Sequence, residues 1–564
     1  MSSEPSTVTA PEVPETEQQQ EQQSQQQGEK TKQPKQPKQQ KPKPQAQQQE
    51  SKKGDDLGIT VKKSEDFPAW YTQICLKAEL IEYHDISGCY VLRPWVFYIW
   101  EQIQGFIDAE IKKLGVKNCY FPMFLNKRHL EVEKEHLEGF APEVAWVTQS
   151  GDTKLDEPIA IRPTSETIMY PYFAKWIRSH RDLPLKLNQW CNVVRWEFKY
   201  PTPFIRSREF LWQEGHTAHA TREEAEKEVY QILDIYARTY EELLGVSMVK
   251  GRKTELEKFA GGLFTTTIEG YIPVVGRGIQ AATSHCLGNN FAEMFHIEYL
   301  ADDAKKHLAW QNSWGFTTRS IGVMIMTHSD DKGLVLPPRV APIQVVIVPI
   351  FMKEREALQA KSVELYNALR DAGIRVELDD RDNYRPGWKF AHWEVKGVPL
   401  RIEFGMRDME ANTCVISRRD TGEKTTVSLD AFVSTVQQML DTVQRDLYTR
   451  ARDMHMSNIC RAVTWEEFMG VINRRRLAII PWCQESSCEE EMKKRSAIDS
   501  KLAAQAIDEN QNQEQEGGEK LERLTGAAKS LCIPFEQPKE SLEGHKCIGC
   551  GKDPKTWVLF GRSY

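Results

Sequence analysis

The sequence predicts a multidomain chain of mixed α/β and α+β class that ends in a small α/β metal-binding domain. Three observations predict it. Residues 192–218 read as a strand, a proline-containing loop and a second strand. Residues 344–447 alternate short apolar strands with amphipathic helices, the pattern of a mixed sheet under helices. Near the end, Cys483-x4-Cys488 and Cys547-x2-Cys550 form two short-spaced thiol pairs. A chain of 564 residues has room for several domains. The expected divisions are 1–55, 56–335, 336–449 and 450–564.

Composition narrows the setting. Hydrophobic residues make up 40% of the chain, enough for several cores, and the formal charge of −7 neither requires nor excludes RNA. The longest apolar candidate, 340–352, is proline-interrupted and too short to span a bilayer, so no membrane role is expected. The N-terminus carries no apolar signal segment, and 12 cysteines without one point to a reducing, cytoplasmic compartment. Residues 1–55 are rich in Gln, Pro, Lys and Glu and are expected to be disordered. The positive excess of Lys30–Lys53 makes this tail a candidate contact for RNA phosphates or for partner proteins, with a plain solubilising tether as the alternative.

The elements then follow in order. Asp66 with Pro68 predicts a helix start. Val96, Ile99, Ile103, Phe106 and Ile107 recur at helical spacing over 95–114, followed by a strand over 118–121 and Pro122. An apolar strand ends at Arg162-Pro163, and Thr164-Ser165-Glu166 opens the next helix; Thr164 is either its cap or a ligand group there. In the central hairpin, Arg195 and Glu197 are expected on one strand face, since residues two apart point the same way. Large aromatics (Trp196, Phe198, Phe210, Trp212) interleave with charges of both signs, which suits a site gripping a phosphate and an ammonium together. A helix is expected over 221–244, strands over 258–267 and 270–279, and a helix over 321–329. The run Leu334–Pro342 reads as a rigid linker. Beyond it, strands are expected at 344–348, 375–378, 399–404 and 413–417, with helices at 354–372, 388–396 and 429–447.

The hairpin residues VVRWE, the Pro-rich loop and REFLWQEGH resemble motif 2 of the class II aminoacyl-tRNA synthetases, and specifically of the prolyl-tRNA synthetases. The long helix, strand and proline near residue 122 look like motif 1. Asn312–Arg319 with the following helix looks like motif 3. The resemblance extends over about residues 56–564. It implies an antiparallel catalytic sheet flanked by helices, an α/β anticodon-binding domain and a homodimer. It also implies the reaction: L-proline and ATP, with Mg²⁺, give prolyl-adenylate and pyrophosphate, and the prolyl group passes to tRNA(Pro).

Residue roles follow from the resemblance. Thr164, Glu166, Arg195, Trp212, Glu214, His216 and His285 are the implied proline site. Arg195, Glu197, Arg206, Ser207, Gln280, Thr283, Thr317 and Arg319 are the implied ATP site, with Arg195 and Arg319 catalytic. The terminal Tyr564 is expected to reach toward the active site. About 45 residues separate His216 from Gly261, which leaves no room for the editing insertion of bacterial-type relatives. The chain therefore resembles the eukaryotic and archaeal type and is expected not to hydrolyse mischarged alanyl-tRNA itself. Arg381, Arg385, Lys389, Arg407, Arg418 and Arg419 are candidate RNA phosphate contacts in the α/β domain. Cys483, Cys488, Cys547 and Cys550 match a closed tetrahedral Zn²⁺ site, with Gly549 and Gly551 folding the turn beneath it and Cys532 a buried spare. Two alternatives remain at this stage: a related synthetase for threonine, glycine or histidine, and a non-catalytic RNA-binding relative. Thr164-Ser165-Glu166 with LWQEGH argues against the first, and the retained arginines argue against the second.

Overall fold

The computed structural model describes residues 57–127, 130, 144–197, 199–351, 355–511 and 526–564. The expected disorder of 1–55, and a polar loop expected around Gly517-Gly518, lie outside them. No described helix is long and apolar enough to cross a membrane. The helix Phe67–Lys77 starts as its sequence dictates, Asp66 accepting the Ala69 N–H at 3.0 Å with proline in the first turn. Helix α1 (Pro94–Lys113) buries Val96, Ile99, Ile103, Ile107 and Ile111 along one stripe. Strand β1 (Lys117–Asn118) follows and is shorter than the expected 118–121.

The catalytic region continues with α2 (Glu166–Trp176), β2 (Leu185–Val194), β3 (Glu209–His219), α3 (Arg222–Arg238), β4 (Val249–Arg252), β5 (Phe264–Ile272), β6 (Arg277–Gly288), β7 (Trp310–Thr317) and α4 (Arg319–His328). These strands pair antiparallel in the order β2-β3-β7-β6-β5-β4, with β1 added parallel to β2. Helix α3 packs across β5, β6 and β7, and α1 packs on α3. The strands expected at 258–267 and 270–279 are displaced. Gly270 is interior to β5, where a Cβ would stand 3.2 Å from the Met248 methyl, and the reversal falls instead at Pro273–Gly276.

The next unit contains β8 (Val345–Ile350), α5 (Arg355–Asp371), β9 (Val376–Leu378), α6 (Pro386–Val395), β10 (Leu400–Gly405), β11 (Thr413–Arg418), β12 (Lys424–Ser428) and α7 (Phe432–Ser457). Its sheet runs β9-β8-β10-β11-β12, parallel across the first three and antiparallel thereafter, as a mixed sheet was expected to. Strand β12 was not anticipated, and α7 starts at Phe432 and runs on past Leu447 to Ser457. The C-terminal segment contributes β13 (Ile459–Arg461), β14 (Leu477–Trp482), α8 (Ser486–Gln511), β15 (Lys529–Pro534) and β16 (Thr556–Gly561). These strands do not form a separate sheet. Strand β15 pairs with β4 through Ile533↔Arg252 and Pro534↔Gly251, giving one 11-stranded sheet. Gly251 permits the approach, since a Cβ there would lie 2.6 Å from the Ile533 carbonyl oxygen.

Behind the sheet, Glu228 of α3 gathers charge from three strands. It meets Lys186 at 3.2 Å, His219 Nε2 at 3.1 Å, Asn312 Nδ2 at 3.0 Å and the Thr217 hydroxyl. Burial pushes the Glu228 carboxyl up, but His219 and Lys186 outweigh it and hold it down at about 2, against an ordinary 4.5. Its stabilising contribution is therefore present above the ordinary value and is lost as pH falls toward 2. Replacing Glu228 with Ala leaves Lys186 and the buried donors of Thr217 and Asn312 without their acceptor and is expected to cost about 3 kcal/mol at pH 7. The gap from the parent protein, measured by urea unfolding at several pH values, should narrow below pH 4.5. A pH-independent gap would show that the charge is not what matters.

Candidate active site

A cavity of about 270 Å³ opens on the face of β3, β6 and β7, beneath the loop joining β2 to β3. The β2–β3 ladder is regular from Leu185↔Ala218 to Val194↔Glu209 and then stops. Arg195 and Glu197 therefore lie beyond the paired strands and not on one strand face as expected. The Arg195 N–H still donates to Arg208 O at 2.8 Å, and its Nε donates to Pro163 O at 2.9 Å. These bonds set the guanidinium over the rings of Phe210 and Trp212, 5.6 and 5.3 Å from their centroids. Glu197 is exposed and does not line the cavity.

One end of the cavity carries carboxylates and imidazoles. The Glu214 side chain is buried; its Oε1 accepts from Ser165 Oγ at 2.5 Å and Gln189 Nε2 at 2.7 Å, and its Oε2 lies 3.0 Å from His216 Nε2. His216 Nδ1 meets the Tyr170 hydroxyl at 3.1 Å. Burial opposes charge on both partners. The hydrogen bond between them nevertheless lowers the Glu214 pKa and raises that of His216, so the pair is held as an ion pair. Thr164 donates its hydroxyl proton to Glu166, and both side chains line the cavity. Thr164 is not the cap of α2: Ser165 holds that position, and its hydroxyl turns to Glu214. His285 bridges Thr265 Oγ1 at 2.9 Å and Thr283 Oγ1 at 3.0 Å, and burial lowers it to about 3, leaving a neutral ring.

The other end is cationic. Arg319 opens α4 where β7 ends; its backbone N–H donates to Thr317 Oγ1 at 3.1 Å and its Nη1 to Gln280 O at 3.2 Å. Burial lowers the Arg319 pKa first, and the charges of Arg195 and Arg206 lower it further. Among the described residues, none of these three guanidinium groups pairs with a carboxylate within 4.0 Å. Mutually repelling cations without partners form a ready receptor for polyanionic oxygens. Ser207, Gln280, Thr283 and Thr317 line the same cavity, whereas Arg206 acts from beside it. Tyr564 is docked on β6 without lining the cavity: its N–H donates to Gly278 O at 3.2 Å and Arg277 lies over its ring, while burial raises its hydroxyl pKa and the charges of Arg277 and Arg206 oppose the rise.

Several lining residues were not singled out from sequence. Phe204 and Phe259 join Phe210 as apolar walls, and Ser313 and Gly315 lie on β7. Ser165 and Gln189, which fix Glu214, were also missed. The available signal was Asn188-Gln189, an amide pair inside an otherwise apolar strand. Gly215 shows how tight the floor is, since a Cβ there would stand 2.2 Å from the Trp314 ring.

The four predicted thiols converge, their sulfurs all within 4.8 Å of one another. The Cys488–Cys547 and Cys483–Cys550 sulfur distances are both 3.6 Å, close to the edge of a tetrahedron with ~2.3 Å metal–sulfur bonds. Hydrogen bonding from Cys488, reinforced by the backbone N–H groups of Cys550 and Gly549, lowers the Cys547 pKa to about 4, while the same bond raises that of Cys488 and burial raises that of Cys483. A Cβ on Gly549 would stand 2.7 Å from Cys488 Sγ, so the glycine lets the turn close. Cys532 is fully buried.

The candidate RNA contacts divide. Arg385 and Arg407 are exposed. Arg381 lies over Tyr384 and Trp388, whose rings stack at 3.7 Å, but buried Asp379 holds it in a two-pronged pair, Nε at 2.8 Å and Nη2 at 2.7 Å, which commits it to the fold. The other three are structural as well. Lys389 is buried against Asp379 O at 2.8 Å, Arg418 bridges Asp420 and Asp446, and Arg419 is committed to Asp330. Their positive charge is neutralised within the fold, which removes them as phosphate ligands.

A cationic cradle beside a carboxylate–imidazole pocket, on an antiparallel sheet entered by a strand–loop–strand and left by an arginine-led helix, is the arrangement of a class II aminoacyl-tRNA synthetase. Known families agree: the "tRNA synthetase class II core domain (G, H, P, S and T)" matches residues 146–328, the "Anticodon binding domain" 344–439, and "Prolyl-tRNA synthetase, C-terminal" 465–564. The chain is 54% identical over 515 residues to the cytoplasmic proline–tRNA ligase of Arabidopsis thaliana, covering 91% of this chain and 92% of that one. It is 48% identical over 516 residues to the proline–tRNA ligase of Encephalitozoon cuniculi, covering 90% and 99%. It also matches the bifunctional glutamate/proline–tRNA ligase of Mus musculus, 54% identical over 91% of this chain but 33% of that one. The chain belongs to the prolyl-tRNA synthetase family, the ligases that join proline to tRNA.

Proposed function

We propose that the cavity activates L-proline with MgATP and then transfers the prolyl group to the 3′ end of tRNA(Pro). Thr164 and Glu166 receive the secondary ammonium of proline, with Trp212, Glu214, His216 and His285 as the walls. Arg195, Arg206 and Arg319 hold the phosphates, Gln280, Thr283, Ser207 and Thr317 the rest of the nucleotide, and Glu197 approaches from the loop. The observation carrying this is the set of three guanidinium groups that have no carboxylate partner among the described residues, in one cavity with a buried, internally paired Glu214–His216. Proline's carboxylate is already a nucleophile, so the residues need only align it with the α-phosphate and neutralise charge on the transferring oxygens. Mg²⁺ enters as part of the substrate, since it keeps phosphate and water ligands. The nearby Glu269 is already engaged by Lys253 at 2.7 Å and by Thr267.

Within the same reading, residues 56–335 carry catalysis, 336–449 read the anticodon and 450–564 close the active site. The tail 1–55 contacts RNA or other synthetases. The exposed Arg385 and Arg407, together with the Tyr384–Trp388 stack, form the anticodon-side surface. The four cysteines hold structural Zn²⁺, which supplies cross-linking and no open coordination position. The exposed aromatics Tyr120, Phe124, Trp146, Tyr172 and Trp176, around the end of the motif 1 segment, support a homodimer whose interface covers them. The cytoplasm, with reduced thiols, is the proposed compartment.

Proline-dependent ATP–pyrophosphate exchange tests the reading, with threonine, glycine, histidine, alanine and cysteine as controls. Strong exchange with proline is expected, and weaker exchange with alanine, which lacks two ring methylenes, because each is worth only ~1–3 kcal/mol in an apolar pocket. Absence of exchange from folded protein would sink the proposal.

A further inference from the structure

Helix α4 begins at the active site and ends at the boundary with the α/β unit. Arg319 is its first residue. Two residues past its last, Asp330 receives Arg419 in a two-pronged pair, Nη2 at 2.6 Å and Nη1 at 2.8 Å. The Arg419 side chain is only 4% exposed, and its Nε donates to Glu394 O at 2.8 Å. Glu394 lies in the last turn of α6, the helix that carries Trp388. Leu334 N–H donates to Val395 O at 2.9 Å, so the chain leaving Asp330 is laced to the end of α6 as well. The far end of α4 is also held from the N-terminal side. Lys63 Nζ donates to Met326 O and Ser329 O, both at 2.8 Å, and Trp70 Nε1 donates to Asp330 O at 3.0 Å.

The 10-residue α4 spans roughly 15 Å as one rigid rod, and residues 320–326 along it are buried. A displacement of its Asp330 end must therefore move its Arg319 end or strain a close-packed core. Arg419 joins the rod to α6 by a bidentate bond that a guanidinium makes and an ammonium does not. We infer that the Arg419–Asp330 pair is a positioning element that couples RNA contact on the Trp388 helix to the setting of Arg319. This rests on the proposed roles of Arg319 in holding ATP and of the α/β unit in holding RNA. Arg419 touches neither substrate; it acts through Asp330 and α4.

The test uses the full-length protein with Arg419→Gln, Arg419→Lys and Asp330→Asn. Each is assayed for proline-dependent exchange without RNA, and for aminoacylation of tRNA(Pro) and of a transcript with altered anticodon bases. The parent protein should aminoacylate the altered transcript with a lower kcat. Arg419→Gln and Asp330→Asn should leave RNA-free exchange within about twofold, and should shrink the kcat ratio between the two RNAs by about tenfold, a usual size for coupling between sites. Arg419→Lys, with charge but no fork, should restore part of that ratio. Equal losses in RNA-free exchange and aminoacylation would mean the pair is merely structural and would overturn the inference, as would an unchanged kcat ratio or a change confined to KM for RNA. If one variant does not fold, the other two carry the same reading. Failure of the parent to exchange at all would refute the proposed function instead.

Discussion

Arg319→Ala should reduce the rate constant for proline-dependent exchange by roughly 10²–10³-fold, the usual cost of removing one preorganised charge from a transferring group. The reason is geometric. The guanidinium is fixed by Gln280 O and by its place at the first residue of α4, so it needs no reorganisation when charge develops on phosphate. It is also held in an unfavourable field, beside Arg195 and Arg206, and a polyanion relieves that repulsion. Relief is greatest where negative charge is greatest, so the loss should fall on kcat and not only on KM for ATP. Arg319→Lys should recover only part of the activity, because a single ammonium cannot both hold Gln280 O and reach a phosphate. Exchange persisting within threefold in Arg319→Ala would remove this residue from the chemistry.

Cys547→Ser should release one equivalent of zinc and destabilise the whole described chain, not the C-terminal segment alone. Structural zinc sites carry apparent binding energies of ~10–16 kcal/mol in small peptides, and even a fraction of that is large against ordinary protein stability. The cluster joins two distant pieces, the start of α8 and the turn before β16. Strand β15, packed in the same region, hydrogen-bonds directly to β4. Lys253 strengthens this junction, its buried Nζ donating to Leu531 O at 2.7 Å and pairing with Glu269. Loss of metal should therefore lower Tm and exchange activity together. Metal analysis and thermal unfolding with and without chelator check this. Protein that purifies free of zinc, with a Tm indifferent to chelator, would contradict it.

Local chemistry was legible in the sequence, and long-range neutralisation was not. The thiol knuckles converge as their spacing implied, and Arg319 stands at a strand-to-helix junction as read. The central hairpin was placed correctly but ended too late: proline and the long loop stop the ladder at Val194, which leaves Glu197 in solvent. A new strand was expected to begin at Gly270, yet this glycine lies inside β5, where its small size lets Met248 fit against the strand. Arg418 has a partner in plain view at Asp420, but nothing near Arg419 in the sequence reveals Asp330. Asp330 lies 89 positions away in the chain. No periodicity foretold that β15 would close onto β4, because register between segments so far apart is a tertiary property.

That closure has a consequence for modularity. A synthetase appended with a self-contained metal module could shed it, exchange it between lineages or express it separately. Here the C-terminal strands finish the catalytic sheet, so a chain stopped before β15 would leave β4 as a bare border with unpaired N–H and C=O groups. Such a border is a template for pairing with other chains, so the truncated enzyme would be aggregation-prone as well as incomplete. The last hundred residues thus act as the sheet's own cover against self-association, a duty separate from anything they do for the substrates.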